Sequence, residues 1–219
     1  MRSTDADFRG NHSRLKGWGF YDSPLQEEYG RFILELLNAA GSDWVLDDGC
    51  GNGRFTEALA RTSSQIVALD INEPLTKVAR SRCSGDSVHV IRGDMTHLPF
   101  RASIFDKVLC VHNLWYVKRF EEAIAEMSRV LKSGGKCVVD QLNLFNVSRL
   151  ANWRFYGSIL KSLLGRDFID TGRSCSSFVR PFKNMRYSLL SVNIKTRLEV
   201  TEGSRSFADR FLVSATKTD

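Results

Sequence analysis

Short runs rich in Val, Ile and Leu alternate with longer amphipathic segments from residue 43 to residue 141, and this rhythm limits the fold more than any other feature. DWVLDD reads as a strand and GRFTEALART as a helix. QIVALD reads as a strand and EPLTKVARSRC as a helix. SVHVIRGD is a strand, FDKVLCVH a strand, RFEEAIAEMSRVLKS a helix closed by Gly134-Gly135, and KCVVDQ a strand. Strands that are apolar on both faces must be covered on both faces, so the pattern predicts a parallel sheet between layers of helix.

The flanks are less regular. Residues 1–14 are polar and unpatterned, which predicts a mobile arm ahead of a single domain over 15–219. GWGFYDSP brings three aromatics, Trp18, Phe20 and Tyr21. A helix follows, with Ser23 as N-cap, Pro24 as first helical residue and Gln26 as capping-box partner. Its apolar face holds Leu25, Tyr29, Phe32, Ile33, Leu36 and Leu37, and Gly41 ends the run. After Gln141 the rhythm breaks. Residues 142–178 carry Trp153, Phe155, Tyr156 and Phe168, with a helical stretch at SRLANWRFYGSILKSLL. PFKNMRYSLLSV reads as a helix, and IKTRLEV and DRFLVSATK as two strands. With no helix between them, those two strands are predicted to pair antiparallel.

Composition excludes several classes. The 219 residues are 42% hydrophobic and 26% charged, which suits one globular domain with a real core. No run approaches the roughly 18 apolar residues of a membrane span, and the first residues lack the apolar core of a signal peptide, so a cytoplasmic protein is expected. The five cysteines are odd in number and form no CxxC pair, which argues against a disulfide framework or a metal site. The net charge of +6 is uneven: residues 141–219 hold 13 Lys/Arg and 6 Asp/Glu. That half suits either a solvated basic surface or an acidic partner.

In an open α/β sheet, ligands bind at the carboxyl ends of the strands. Here those ends carry acids. VLDDGCGNGRF places Asp47 and Asp48 before Gly49, Gly51 and Gly53, Asp70 ends QIVALD, and Asp94 follows SVHVIRG. An acid after the second strand suits ribose hydroxyls and repels phosphate. The glycine turn reads D-x-G-x-G-x-G, with neither the G-x-G-x-x-G of a dinucleotide fold nor the Lys of a P-loop. The ligand expected from these residues has a ribose and positive charge and lacks phosphate, as S-adenosylmethionine does.

VLDDGCGNGRF, VALDINEPLTKVAR, IRGDMTHLPF, FDKVLCVHNLWYV and EMSRVLKSGGKCVV, in that order, resemble the motifs of class I S-adenosylmethionine-dependent methyltransferases, and most of all their small-molecule and quinone-biosynthesis group. The resemblance covers about residues 20–141. It implies a Rossmann-like three-layer sandwich with a seven-stranded, mostly parallel sheet, an antiparallel last strand, and a helical cap inserted after the fifth strand. It also implies methyl transfer to an oxygen or nitrogen of a small molecule, leaving S-adenosylhomocysteine. Asp47 resembles the acid near the methionine ammonium. Gly49, Cys50, Gly51 and Gly53 form the turn whose backbone approaches the cofactor. Asp70 resembles the ribose-binding acid, with Ile71 against the adenine. Asp94 resembles the acceptor from the adenine amino group, with Met95 on the ring. Val111 resembles a residue lining the methionine end, and Trp18 or Tyr21 one covering the cofactor. Asp48 departs from the pattern, because the family usually has an apolar residue there, and its carboxylate needs a partner or water.

The acceptor side is less defined. His112 follows the fourth strand and suits either a general base or a hydrogen-bonded pocket wall. Trp115 and Tyr116 suit either the pocket wall or the core. Arg149, Arg154, Arg166, Arg173 and Arg180 suit an acidic acceptor or solvated helix faces. A small-molecule acceptor is expected, an acidic one where the arginines face it, with no metal, DNA or integral membrane contact and a monomer or homodimer as the assembly. The rival readings are an RNA methyltransferase using the basic C-terminal half, against which stands the lack of an NPPY-type motif, a non-catalytic interaction module that keeps the fold, against which stand the intact motifs, and a lipid or quinone methyltransferase working at a membrane surface.

Overall fold

The apolar runs form an eight-stranded sheet in the computed structural model, which describes residues 24–62, 65–83, 85–143, 175–193, 199–203 and 208–218. The described elements are α1 (Pro24–Leu37), β1 (Trp44–Asp48), α2 (Arg54–Ala60), β2 (Gln65–Asp70), α3 (Glu73–Arg82), β3 (Val88–Arg92), β4 (Phe105–Cys110), α4 (Phe120–Val130), β5 (Leu131–Leu142), α5 (Cys175–Val179), β6 (Met185–Asn193), β7 (Glu199–Glu202) and β8 (Arg210–Lys217). One-turn 3-10 segments lie at Leu114–Tyr116 and Arg180–Phe182. The strand order is β3-β2-β1-β4-β5-β8-β6-β7. The first five strands are parallel, and β8 runs antiparallel to β5. β1 pairs β2 on one side and β4 on the other, so the strand order reverses beside the carboxyl end of β1.

The pleat divides the core in two. Val45, Ile66, Leu109 and Val138 pack with Tyr29, Ile33 and Leu37 of α1. Leu46, Val108, Cys110 and Val139 pack with Ile124 and Met127 of α4. Helix α4 buries Phe120, Ala123, Ile124, Met127 and Val130, the stripe that a 3.6-residue period turns to one side. Residues adjacent on a strand therefore meet different helices, which decides the surroundings of Asp47 and Asp48.

Four local readings change. The sheet has eight strands, because PFKNMRYSLLSV contains β6 and not a helix. Leu189 and Leu190 read as a helical pair, yet each meets its own half of the core, Leu189 on the α4 side and Leu190 on the α1 side, as successive strand residues do. The last two strands do not pair with each other: β6 stands between β7 and β8 and is antiparallel to both. The first helix ends at Leu37, four residues before Gly41, where Asn38 takes the left-handed conformation (φ 51°). The fourth ends at Val130, ahead of Gly134-Gly135, and Gly134 (φ 73°) turns inside β5, between its pairing with β4 at Leu131 and at Lys136. Pro24 opens α1 as expected. Ser23, the arm 1–14 and nearly all of the proposed cap lie outside the described residues. Among the described residues no helix is long and apolar enough to cross a membrane.

Candidate functional site

The carboxyl ends of β1, β2 and β4 meet at the glycine turn. Gly49, Gly51 and Gly53 all have positive φ, at 84°, 54° and 82°. Two of them have a cause within the protein. A Cβ on Gly49 would lie 2.5 Å from the Asn113 side chain, and one on Gly53 would lie 2.9 Å from Cys83 Sγ and 3.1 Å from Ala79. The turn is tied on both sides. The N–H groups of Gly49 and Cys50 donate to the Leu69 carbonyl at 2.7 and 2.9 Å. Asn113 Nδ2 donates to the carbonyls of Gly49 at 2.5 Å and Val111 at 2.6 Å.

Asp70 holds two turns at once. Its Oδ2 accepts from Gly51 N–H and its Oδ1 from Asn72 N–H, both at 2.8 Å. Asn72 in turn caps α3, accepting from Leu75 N–H at 3.2 Å. Ile71 is half-buried beside it. Asp94 Oδ1 accepts from the Thr96 N–H and hydroxyl, each at 2.8 Å, and half-buried Met95 packs on the α4 side of the core.

Asp47 and Asp48 point to opposite faces. Asp47 lies toward α2, where the Thr56 hydroxyl donates to it at 2.5 Å. Burial raises its pKa to about 7 against the pull of that bond, and Asp70 pushes the same way. Asp48 is fully buried, and among the described residues neither of its oxygens has a hydrogen-bond partner. Burial, then the charges of Asp47, Asp70, Asp94 and Glu126, push its carboxyl well above the carboxylate range, so it is held protonated. Of the partner or water that the sequence calls for at Asp48, no protein partner stands among the described residues, and a neutral carboxyl lowers the cost of its burial.

His112 stands in the left-handed region (φ 64°). Its backbone N–H donates to Asp140 Oδ1 at 2.6 Å, and its ring stacks on Tyr29 (centroids 6.0 Å) beside Phe55 and Trp115. Burial first, then Arg210 and Arg54, lower its pKa well below the usual value, so the ring is neutral. Asp140 also accepts from the Tyr29 hydroxyl at 3.1 Å and from Arg210 Nη1 at 3.2 Å. Tyr29, Asp140 and Arg210 join the site although sequence reasoning did not single them out for it. The one available signal was the lone acid ending the apolar run KCVVD.

The remaining candidates separate. Val111 is buried in the α1 half of the core, and Cys50 packs on Ala68 and Ala79, its thiol pushed far up by burial. Trp115 is buried and Tyr116 half-buried, while Arg180 is exposed. Trp18, Tyr21, Arg149, Arg154, Arg166 and Arg173 lie outside the described residues.

A carboxyl near neutrality beside a second acid, with a glycine turn that brings backbone close to both, can take a cationic ligand that also bears hydroxyls. Comparison with known proteins agrees in kind. Residues 46–139 match the family model described as a methyltransferase domain. The demethylmenaquinone methyltransferase of Renibacterium salmoninarum is 35% identical over 113 residues, covering 52% of this chain and 47% of the relative. The ubiquinone/menaquinone biosynthesis C-methyltransferase UbiE of Pseudomonas fluorescens is 37% identical over 117 residues, covering 50% and 45%. The chain thus spans about half the length of the curated relatives it matches. The N-methyltransferase NodS of Bradyrhizobium japonicum, solved with S-adenosyl-L-homocysteine, shares the fold with a TM-score of 0.68 at 19% identity, over 92% of each chain.

Proposed function

Because this chain belongs to the class I S-adenosylmethionine-dependent methyltransferases, we propose that it transfers the methyl group of S-adenosylmethionine to a small molecule bound over the carboxyl ends of β4 and β5, leaving S-adenosylhomocysteine. The observation that carries this reading is the pair of acids at the ends of β1 and β2, with Asp47 poised near neutrality and no Lys in the glycine turn. A cation beside Asp47 restores the full charge that burial opposes.

In this reading Asp47 faces the methionine ammonium, and the backbone from Gly49 through Cys50 and Gly51 to Gly53 approaches the cofactor. Asp70 takes the ribose hydroxyls, and Asp94 accepts from the adenine amino group between Ile71 and Met95. Val111 backs the methionine end from beneath, and Trp18 or Tyr21 covers the cofactor. When bound, S-adenosylmethionine supplies an electrophilic methyl group. The chain's own part is alignment of the nucleophile with it, which supplies most of the rate in such a displacement. His112, neutral and on the acceptor side, is in the state that accepts a proton from a hydroxyl or amine acceptor.

Carbon methylation is the second reading. The printed name of the UbiE relative is that of a C-methyltransferase of quinone biosynthesis, and aromatic Tyr29, Phe55 and Trp115 surround His112 here. A carbon acceptor that is already nucleophilic needs no strong base. Calorimetry with S-adenosylhomocysteine tests the cofactor: no heat at tens of micromolar, with Asp70→Ala matching wild type, rejects it. Incubation with methyl-labelled cofactor and a metabolite extract, followed by mass identification of the product, decides among oxygen, nitrogen and carbon. Binding of RNA that falls steeply with salt, or retention on liposomes, would favour the macromolecular or membrane-surface alternatives.

A further inference from the structure

At the carboxyl ends of β4 and β5, on the α1 face, Asp140 is fully buried and takes three donors: His112 N–H, the Tyr29 hydroxyl and Arg210 Nη1. These satisfy the carboxylate. Two donors are left over. Arg210 Nε and Trp115 Nε1 are both buried without a hydrogen-bond partner among the described residues, in side chains belonging to residues only 5% and 2% exposed. They are neighbours: the guanidinium carbon lies 5.0 Å from the Trp115 ring centroid. Buried N–H groups are rarely left unpaired, and two on side chains in contact point to an acceptor that approaches both.

We propose that Trp115 and Arg210 form an oxygen-binding subsite for the methyl acceptor, one that takes a carboxylate, phenolate or carbonyl oxygen carried on a planar aromatic ring. The oxygen follows from the donor inventory, since indole Nε1 and guanidinium Nε donate and cannot accept. An ammonium would add donors where Asp140 already has three. The aromatic carrier follows from the surroundings: Tyr29, Phe55 and Trp115 pack around His112 with centroids 6.0, 6.2 and 5.7 Å from it, a cluster that a further ring can extend. Asn113, next to His112, ties this region to the Gly49 carbonyl, so the subsite adjoins the glycine turn. Assignment of the subsite to the methyl acceptor rests on the methyl-transfer reading, whereas the two unpaired donors do not.

The test uses the full chain labelled with 15N-tryptophan and saturated with S-adenosylhomocysteine. Trp115→Phe identifies the Trp115 indole signal among those of the four tryptophans. Benzoate, 4-nitrophenolate and acetophenone are titrated separately, with benzylamine as control. At least one oxygen probe is expected to move the Trp115 signal saturably, and the one that does so names the group bound. Arg210→Lys, which keeps a cation for Asp140, should weaken that binding roughly tenfold. Its circular dichroism and cofactor-product affinity report whether it folds. No movement with any oxygen probe in protein that binds S-adenosylhomocysteine overturns the subsite, as does equal movement with benzylamine. If calorimetry shows no S-adenosylhomocysteine binding, the methyl-transfer reading fails, and the same titrations still decide the subsite by themselves.

Discussion

Asp47→Asn should make the ligand-free protein more stable at alkaline pH while weakening cofactor binding. Moving a buried carboxyl from an ordinary 3.8 to about 7 costs its ionised form about 4 kcal/mol. The sign follows from proton binding. Between those two pH values the folded state holds the proton more tightly than the unfolded state, so stability is highest below 3.8 and falls as the pH rises toward 7. Asn never ionises, and its amide oxygen still accepts from Thr56. Relative to wild type, Asp47→Asn should therefore gain roughly 2 kcal/mol at pH 5 and about 4 kcal/mol at pH 8. Urea unfolding at the two pH values measures this directly. Cofactor binding supplies an independent reading. At pH 7 about half of the Asp47 carboxyls carry a proton, so binding a cation should release up to about half a proton. Calorimetry in buffers of different ionisation heat detects that release, and Asp47→Asn should abolish it. A stability change equal at both pH values, or a loss at pH 8, would refute the account of Asp47 as a desolvated acid awaiting a cation.

Asp48→Leu should stabilise the protein by about 1–3 kcal/mol in urea unfolding at neutral pH, because an unpaired polar group leaves the interior; destabilisation would mean that the carboxyl has a partner after all. Gly49→Ala should cost about 1–3 kcal/mol, since it forces a side chain into φ 84° and against Asn113. Adding Asn113→Ala should recover part of that loss and no more, and full recovery would show that conformation plays no part. The pH profile of kcat/KM should lack a limb near 6.5, the ordinary value for His, because burial holds His112 neutral well below it. A limb between pH 6 and 7 that His112→Gln removes would contradict this.

The placement of Asp47 and Asp70 at the carboxyl ends of β1 and β2 was legible because a strand followed by a glycine turn, and then a second strand ending in acid, is a local pattern. The parallel order of β1 to β5 was legible for the same reason: helix and strand periods are written in neighbouring residues. Tyr29, Asp140 and Arg210 were not. Each looks ordinary where it stands, on a helix face, at the end of an apolar run and at the start of a strand. Only the fold brings positions 111 and 70 residues apart into one hydrogen-bonded cluster.

By itself, then, the sequence determined the alternating layers and the gathering of acids at the carboxyl ends of the strands, and from these came the expectation of a ligand that is cationic and lacks phosphate. Tertiary structure decided the rest. It made β6 a strand, because β8 presented an edge and the two halves of the core took Leu189 and Leu190 separately. It gave Gly49 and Gly53 a packing cause besides any approach to a ligand. It sealed Asp48 in the interior, where burial and then the neighbouring acids keep the carboxyl protonated. Pairing, close approach and desolvation depend on what arrives from elsewhere in the chain, and no local pattern encodes that arrival.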